Sequence, residues 1–207
     1  MPPPRIRTVD SNVDIVTSLG LGFREPNLYA LINPPIARLE RRQGSMAVRA
    51  SVFPVTSGAD LSMIMGVGHG TTDIFYGQDG HQVFQVDAFH LSEVQGRCIH
   101  LTACSAGARL GPSFVRAGAK FFIGYVQDVL FPVDLANYIF DADCEIGREL
   151  IDGQTAGVSQ QRAIDRYNHY ITAFNAQGQG YFAQWLQYNR DILRGPLNDP
   201  ALGCVFQ

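Results

Sequence analysis

Apolar residues in this chain fall in short, dense runs separated by polar or glycine-containing segments. Leu61–Val67, Cys98–Ala103 and Lys120–Val126 (KFFIGYV) are each too short for a packed helix and too uniformly apolar for a half-exposed strand. They predict fully buried strands of a parallel sheet. Val48–Val55 reads as a further strand ending near Pro54. Thr71–Tyr76 and Gln82–Val86 flank Gly77-Gln-Asp-Gly80 and predict a hairpin. Helical spacing appears between the runs. A helix over 108–117 stops at Gly118, and Asp87 is placed to cap a short helix over 88–94. Leu135, Ile139, Ile146 and Leu150 mark one face of a long helix that stops at Gly153, and Ala163, Tyr167, Tyr170, Ile171 and Phe174 mark the next. Tyr181, Phe182 and Trp185 continue at helical spacing and read as core.

Residues 1–45 carry no such order. Pro2 to Pro4, Gly20, Gly22 and Pro34-Pro35 interrupt the pattern, so this stretch is expected to be an irregular N-terminal cap with short helical pieces. Residues 46–207 form the α/β domain proper. Alternating strands and helices predict a three-layer sandwich, a mainly parallel sheet with helices on both faces. In such sheets the binding crevice lies beyond the carboxyl ends of the strands.

Composition narrows the function classes. The net charge is −3 and charged residues make up 17%, which leaves no basic excess to neutralise phosphates, so no nucleic-acid partner is expected. The one basic cluster, Arg38, Arg41 and Arg42, reads as the solvated face of a short helix. No run approaches the ~18 apolar residues of a membrane span, and no signal peptide is visible at the start. The four cysteines lack CxxC or metal-ligand spacing. They are expected to be free thiols in a reducing, cytoplasmic setting.

Two strand ends carry the candidate chemistry. Gly68-His69-Gly70 follows the Leu61–Val67 strand, and Cys104-Ser105-Ala106-Gly107 follows the Cys98–Ala103 strand. Adjacent parallel strands deliver both ends to one edge of the sheet, where an imidazole can take and return the proton of a nucleophilic thiol. Gly68 and Gly70 permit a sharp turn and close backbone approach. The amides of Gly70 and Cys104 are candidates for an oxyanion hole. His100, four positions before Cys104 on the same strand, reads as structural and is the best rival for the base. Cys98, Cys144 and Cys204 read as core. A zinc site from His69, His81 and His90 lacks ligand spacing, and Gly66–Gly70 lacks the Lys-Ser/Thr of a phosphate loop.

The pair MIMGVGHG and RCIHLTACSAG resembles the two motifs of the caspase-like cysteine peptidases, nearest to their CHAT-domain and gingipain-like members. GPSFVRAGAKFFIGYV, FDADCEIGRELIDGQTAGVSQQRAID and Asn198-Asp199-Pro200-Ala201-Leu202 extend the resemblance over about residues 60–204, with asparagine where glycine is usual at 198. The resemblance implies a caspase-like sandwich and an endopeptidase with a His69–Cys104 dyad. It implies no third acidic residue and no cofactor, a protein or peptide substrate, and control by a regulatory protein partner. Thr102 stands two before the nucleophile, where caspases have Gln and metacaspases Asp, and side-chain alternation turns it to the same face as Cys104. Thr102 is therefore expected to line the substrate pocket, with Asp60 and Asp128 as candidates to add charge from loops. An uncharged or basic substrate side chain is expected, not an acidic one. The alternatives are a non-catalytic interaction module of the same fold, or another cysteine hydrolase or acyltransferase.

Overall fold

A computed structural model describes residues 3–32, 37–52 and 60–204. Its centre is a six-stranded sheet in the order β2-β1-β3-β7-β8-β9. The strands are β1 (Arg5–Asp10), β2 (Arg38–Gln43), β3 (Leu61–Val67), β7 (Cys98–Thr102), β8 (Phe121–Tyr125) and β9 (Leu193–Asn198). The first five run parallel, and β9 closes the edge antiparallel to β8. A second sheet of three short antiparallel strands, β4 (His69–Gly70), β5 (Ile74–Tyr76) and β6 (Gln82–Gln85), grows out of the end of β3. The helices are α1 (Ile15–Asn27), α2 (Arg49–Val52), α3 (Leu91–Val94), α4 (Leu110–Arg116), α5 (Ala136–Ile151), α6 (Ala156–Ala176) and α7 (Gly180–Ile192).

Alternation along the strands sorts side chains into two cores. Ile6, Met63, Met65, Ile123 and Tyr125 pack with Ile146, Leu150 and Ala163, on the face covered by α1, α5 and α6. Val9, Ile64, Ile99, Leu101 and Phe122 pack on the other face with Phe114 of α4 and with Phe75 and Phe84 of the small sheet. Each fully buried phenylalanine contributes roughly 1.5–3 kcal/mol in apolar burial. The fold is thus α/β with a mostly parallel sheet. On the second face the small sheet shares with α4 the covering role expected of helices alone.

The predicted strands β3, β7 and β8, the hairpin β5–β6, and the helices α4, α5 and α6 are present. Several expectations are corrected. Residues 1–45 are not an irregular cap, because β1 and β2 belong to the central sheet and α1 packs on it. The sequence RIRTVD hides a central strand because Arg7 is fully buried, paired at 2.8 Å with Glu40 of β2. Arg38, Arg41 and Arg42 lie on edge strand β2, not a helix, and pair with Asp60, Glu25 and Glu40. Of the strand expected over Val48–Val55, Arg49–Val52 form a single helical turn, and residues 53–55 lie outside the described residues. Asp87 caps nothing: it adopts φ +61°, and α3 starts only at Leu91.

The cysteines are also not all free. Cys98 of β7 and Cys204 form a disulfide with Cα atoms 6.1 Å apart, an ordinary span for such a link. Disulfides persist in oxidising compartments, so the premise for a cytoplasmic setting, four free thiols, does not hold. Among the described residues no helix is long and apolar enough to cross a membrane.

The Asn198–Leu202 segment has a structural task. The carbonyls of Leu202 and Pro200 accept from the amides of Ala156 and Gly157, satisfying two of the donors that the start of α6 leaves unpaired. Asn198 takes φ +92° and its side-chain amide donates to the Lys120 carbonyl at 2.9 Å. Asparagine tolerates that conformation better than most residues, which accounts for its standing where glycine is usual in the resembling motif.

Candidate active site

β3 and β7 are adjacent and parallel, with Val67 opposite Thr102. The two segments that follow them therefore emerge together, and His69 and Cys104 line one cavity of about 290 Å³. Gly70 fixes how closely they meet. A Cβ on Gly70 would stand 2.4 Å from the Cys104 carbonyl oxygen and 3.0 Å from the Ala103 Cβ. A Cβ on Gly68 would stand 2.3 Å from the Tyr76 carbonyl. The close approach expected of these glycines is thus to the protein's own cysteine turn and hairpin, not only to a ligand.

The cysteine turn is held from the segment that follows β8. Ser105 adopts φ +56°, a left-handed conformation that costs of order 1–3 kcal/mol in a non-glycine residue. Its amide donates to the Gln127 carbonyl at 2.9 Å and its hydroxyl to Asp128 at 2.8 Å, offsetting that cost. Among the described residues, the Cys104 amide meets no backbone acceptor, as an oxyanion donor requires.

His69 has a partner that the sequence did not reveal. Its Nε2–H donates to Asp14 Oδ2 at 2.5 Å. Asp14 is the N-cap of α1, and its other oxygen accepts from the Thr17 amide at 2.9 Å while the Thr17 hydroxyl accepts from the Asp14 amide. This capping box locks the carboxylate. Burial pulls the Asp14 carboxyl up, but the Thr17 amide and the His69 ring outweigh it and hold the group below its usual value. An imidazole that donates from Nε2 keeps its lone pair on Nδ1. The sequence singled out no acidic residue beside the histidine, and the structure places Asp14 against its ring.

Cys104 Sγ lies 4.0 Å from the Val129 carbonyl and makes no hydrogen bond to His69. Burial pushes its pKa up, the Val129 contact opposes this, and the nearby Asp128 carboxylate adds to the rise. Cys144, in contrast, is fully enclosed and its thiol is pushed up to about 12, chiefly by burial.

Thr102 sits on the floor of the cavity above a buried polar network. Its hydroxyl donates to Asp143 Oδ2 at 2.6 Å and accepts from Arg24 Nη2 at 2.5 Å, and Arg24 in turn pairs with Asp143 at 2.7 Å. Tyr29 donates to Asp10 and Tyr125 to Asp143. Arg24, Asp143 and Asp10 have no exposed surface. Burial disfavours the Asp143 carboxylate, yet His100, Arg24 and Thr102 hold it far below the usual range. Asp10 is left above that range by its burial.

His100 belongs to this network, not to the cavity. Nδ1–H donates to the Ile123 carbonyl at 3.1 Å, and Nε2 lies 3.3 Å from Asp143 Oδ2 without hydrogen-bond geometry. The expected charges from loops do not arrive. Asp60 precedes β3, at the opposite sheet edge from His69, and is spent on Arg5 and Arg38. Asp128 stands beside Cys104 but is bonded to Ser105 and does not line the cavity. A scan against protein-family models finds no match, and a search of curated proteins finds none either.

Proposed function

We propose that this chain is a caspase-like cysteine endopeptidase in which Cys104 is the nucleophile, His69 the base and Asp14 the group that orients the base. The observation that carries this reading is the shared cavity of His69 and Cys104 at adjacent parallel strand ends, with the imidazole pinned by a capped carboxylate. In the reaction, the Cys104 proton passes to His69 Nδ1 as sulfur bonds to the scissile carbonyl carbon. The oxyanion is met by the Cys104 amide, with Gly70 beside it as the second donor. His69 then returns the proton to the departing amine, and water hydrolyses the thioester with the same imidazole as base. Asp14 favours the tautomer with its lone pair on Nδ1 and stabilises the imidazolium that forms.

A second reading has a specific observation behind it. The raised Cys104 thiol and its lack of a bond to His69 fit a domain held inactive until a regulatory protein partner moves the cysteine turn. Apo sites often tighten only when substrate binds, so the two readings differ in what supplies the trigger. A thiol-directed peptide probe, applied with and without an excess of peptide substrate, separates them. Labelling of Cys104 alone supports the self-sufficient peptidase, and no labelling under either condition supports the partner-dependent form.

A further inference from the structure

The cavity beside Cys104 has a wall chemistry that selects a substrate, given the peptidase reading above. Val16 of α1, Val67 of β3, Val129, Phe131 and Phe140 of α5 surround it. The polar groups at its floor are already committed. The Thr102 hydroxyl uses its proton on Asp143 and accepts from Arg24, and the carboxylate and guanidinium beneath it have no exposed surface. Among the described residues, the ionisable side chains lining the cavity are His69 and the cysteine itself. A volume of about 290 Å³ is at the small end for ligand pockets and suits a single side chain rather than a larger group.

We infer that this cavity is the subsite for the residue on the acyl side of the scissile bond, and that it takes an apolar side chain of leucine, methionine or phenylalanine size. An aspartate or arginine side chain entering it finds no arginine, lysine or carboxylate among the described lining residues and loses its hydration, which such a pocket rejects by one or more orders of magnitude. This narrows the expectation of an uncharged or basic side chain to an apolar one, because Asp60 and Asp128 do not reach the cavity.

Binding tests this without chemistry. Acetylated tripeptides identical except for a C-terminal Leu, Phe, Asp or Arg mimic the acyl product, and calorimetric titration into the intact chain and into Cys104→Ser reads their affinities. The Leu and Phe peptides are expected to bind at least ~10-fold tighter than the Asp and Arg peptides in both proteins. Val16→Asp, at a half-buried first-turn position on the cavity wall where an acidic residue suits the helix dipole, is expected to raise the Arg peptide to or above the Leu peptide. Equal or tighter binding of Asp or Arg by the unaltered chain, no binding of any peptide, or an unchanged order in Val16→Asp overturns the inference. Since binding needs no thiol, selective binding without turnover counts against the peptidase reading alone.

Discussion

Asp14 Oδ2 and His69 Nε2 stand 2.5 Å apart, joining the start of the first helix to the start of β4, just beyond the third strand, across 55 positions of sequence. The contact does two things with one carboxylate, since the other oxygen of Asp14 caps α1. Stability and imidazole orientation are thereby coupled, and substitutions can separate them.

Asparagine is as good an N-cap as aspartate, but it carries no charge to stabilise an imidazolium. Asp14→Asn is expected to keep the helix cap, losing at neutral pH only the contribution of the carboxylate's charge to stability, while lowering kcat about 10- to 100-fold. Asp14→Ala is expected to lose activity and also about 1 kcal/mol of stability. Because the folded carboxyl lies below its unfolded value, its stabilising contribution is present at neutral pH and is lost as pH falls through the acidic range. Paired thermal melts and steady-state kinetics check all three, and full activity in Asp14→Asn would remove Asp14 from the site.

The raised Cys104 thiol makes a kinetic prediction. Iodoacetamide alkylation of Cys104 in the free protein is expected to be slower at pH 7.5 than that of an unperturbed thiol, and to keep rising above pH 9. The sign follows from burial favouring the neutral form, so more alkaline solution is needed to reach the thiolate. Peptide mapping of the alkylated cysteine against pH gives the curve. A plateau reached by neutral pH would mean a preformed thiolate–imidazolium pair.

His100→Ala is expected to leave turnover within a few-fold while costing about 1–3 kcal/mol, since it removes a donor to the buried Ile123 carbonyl and weakens the Asp143 environment. Urea denaturation with parallel rate measurements separates the effects. Loss of activity in a stably folded variant would return His100 to candidacy as base.

What the sequence disclosed and what it hid follow from range and burial. Leu61–Val67, Cys98–Thr102 and Phe121–Tyr125 were legible because a buried parallel strand writes itself as a continuous apolar run, and their ends located His69 and Cys104. β1 and β2 were not, because their inward charges, Arg7 and Glu40, neutralise one another across the sheet and read as surface. Asp14 was illegible as a partner since nothing local distinguishes an N-cap that also meets a histidine from one that does not. Asp60 misled because closeness in sequence to the histidine strand is closeness to its wrong end.

The Cys98–Cys204 link closes a long loop whose ends are 106 positions apart. In the chain-entropy account a loop of that length contributes roughly 4–5 kcal/mol. Cys204→Ser is expected to lower stability by about 2–4 kcal/mol and to leave Cys104 chemistry in place. Mass analysis of the non-reduced digest and denaturant titration check this, and recovery of a free Cys98 thiol from the native protein would contradict it.

The central claim is that Cys104 and His69 act as one catalytic unit on peptide bonds. Its most direct measurement is the cleavage rate of an unstructured peptide library by the intact chain, by Cys104→Ala and by His69→Ala, each first shown to be folded. Members of such a unit lose activity together and not additively. The intact chain is expected to cleave, and each variant to lose at least ~100-fold, with the double variant no worse than either. Cleavage by Cys104→Ala at the rate of the unaltered protein would contradict it.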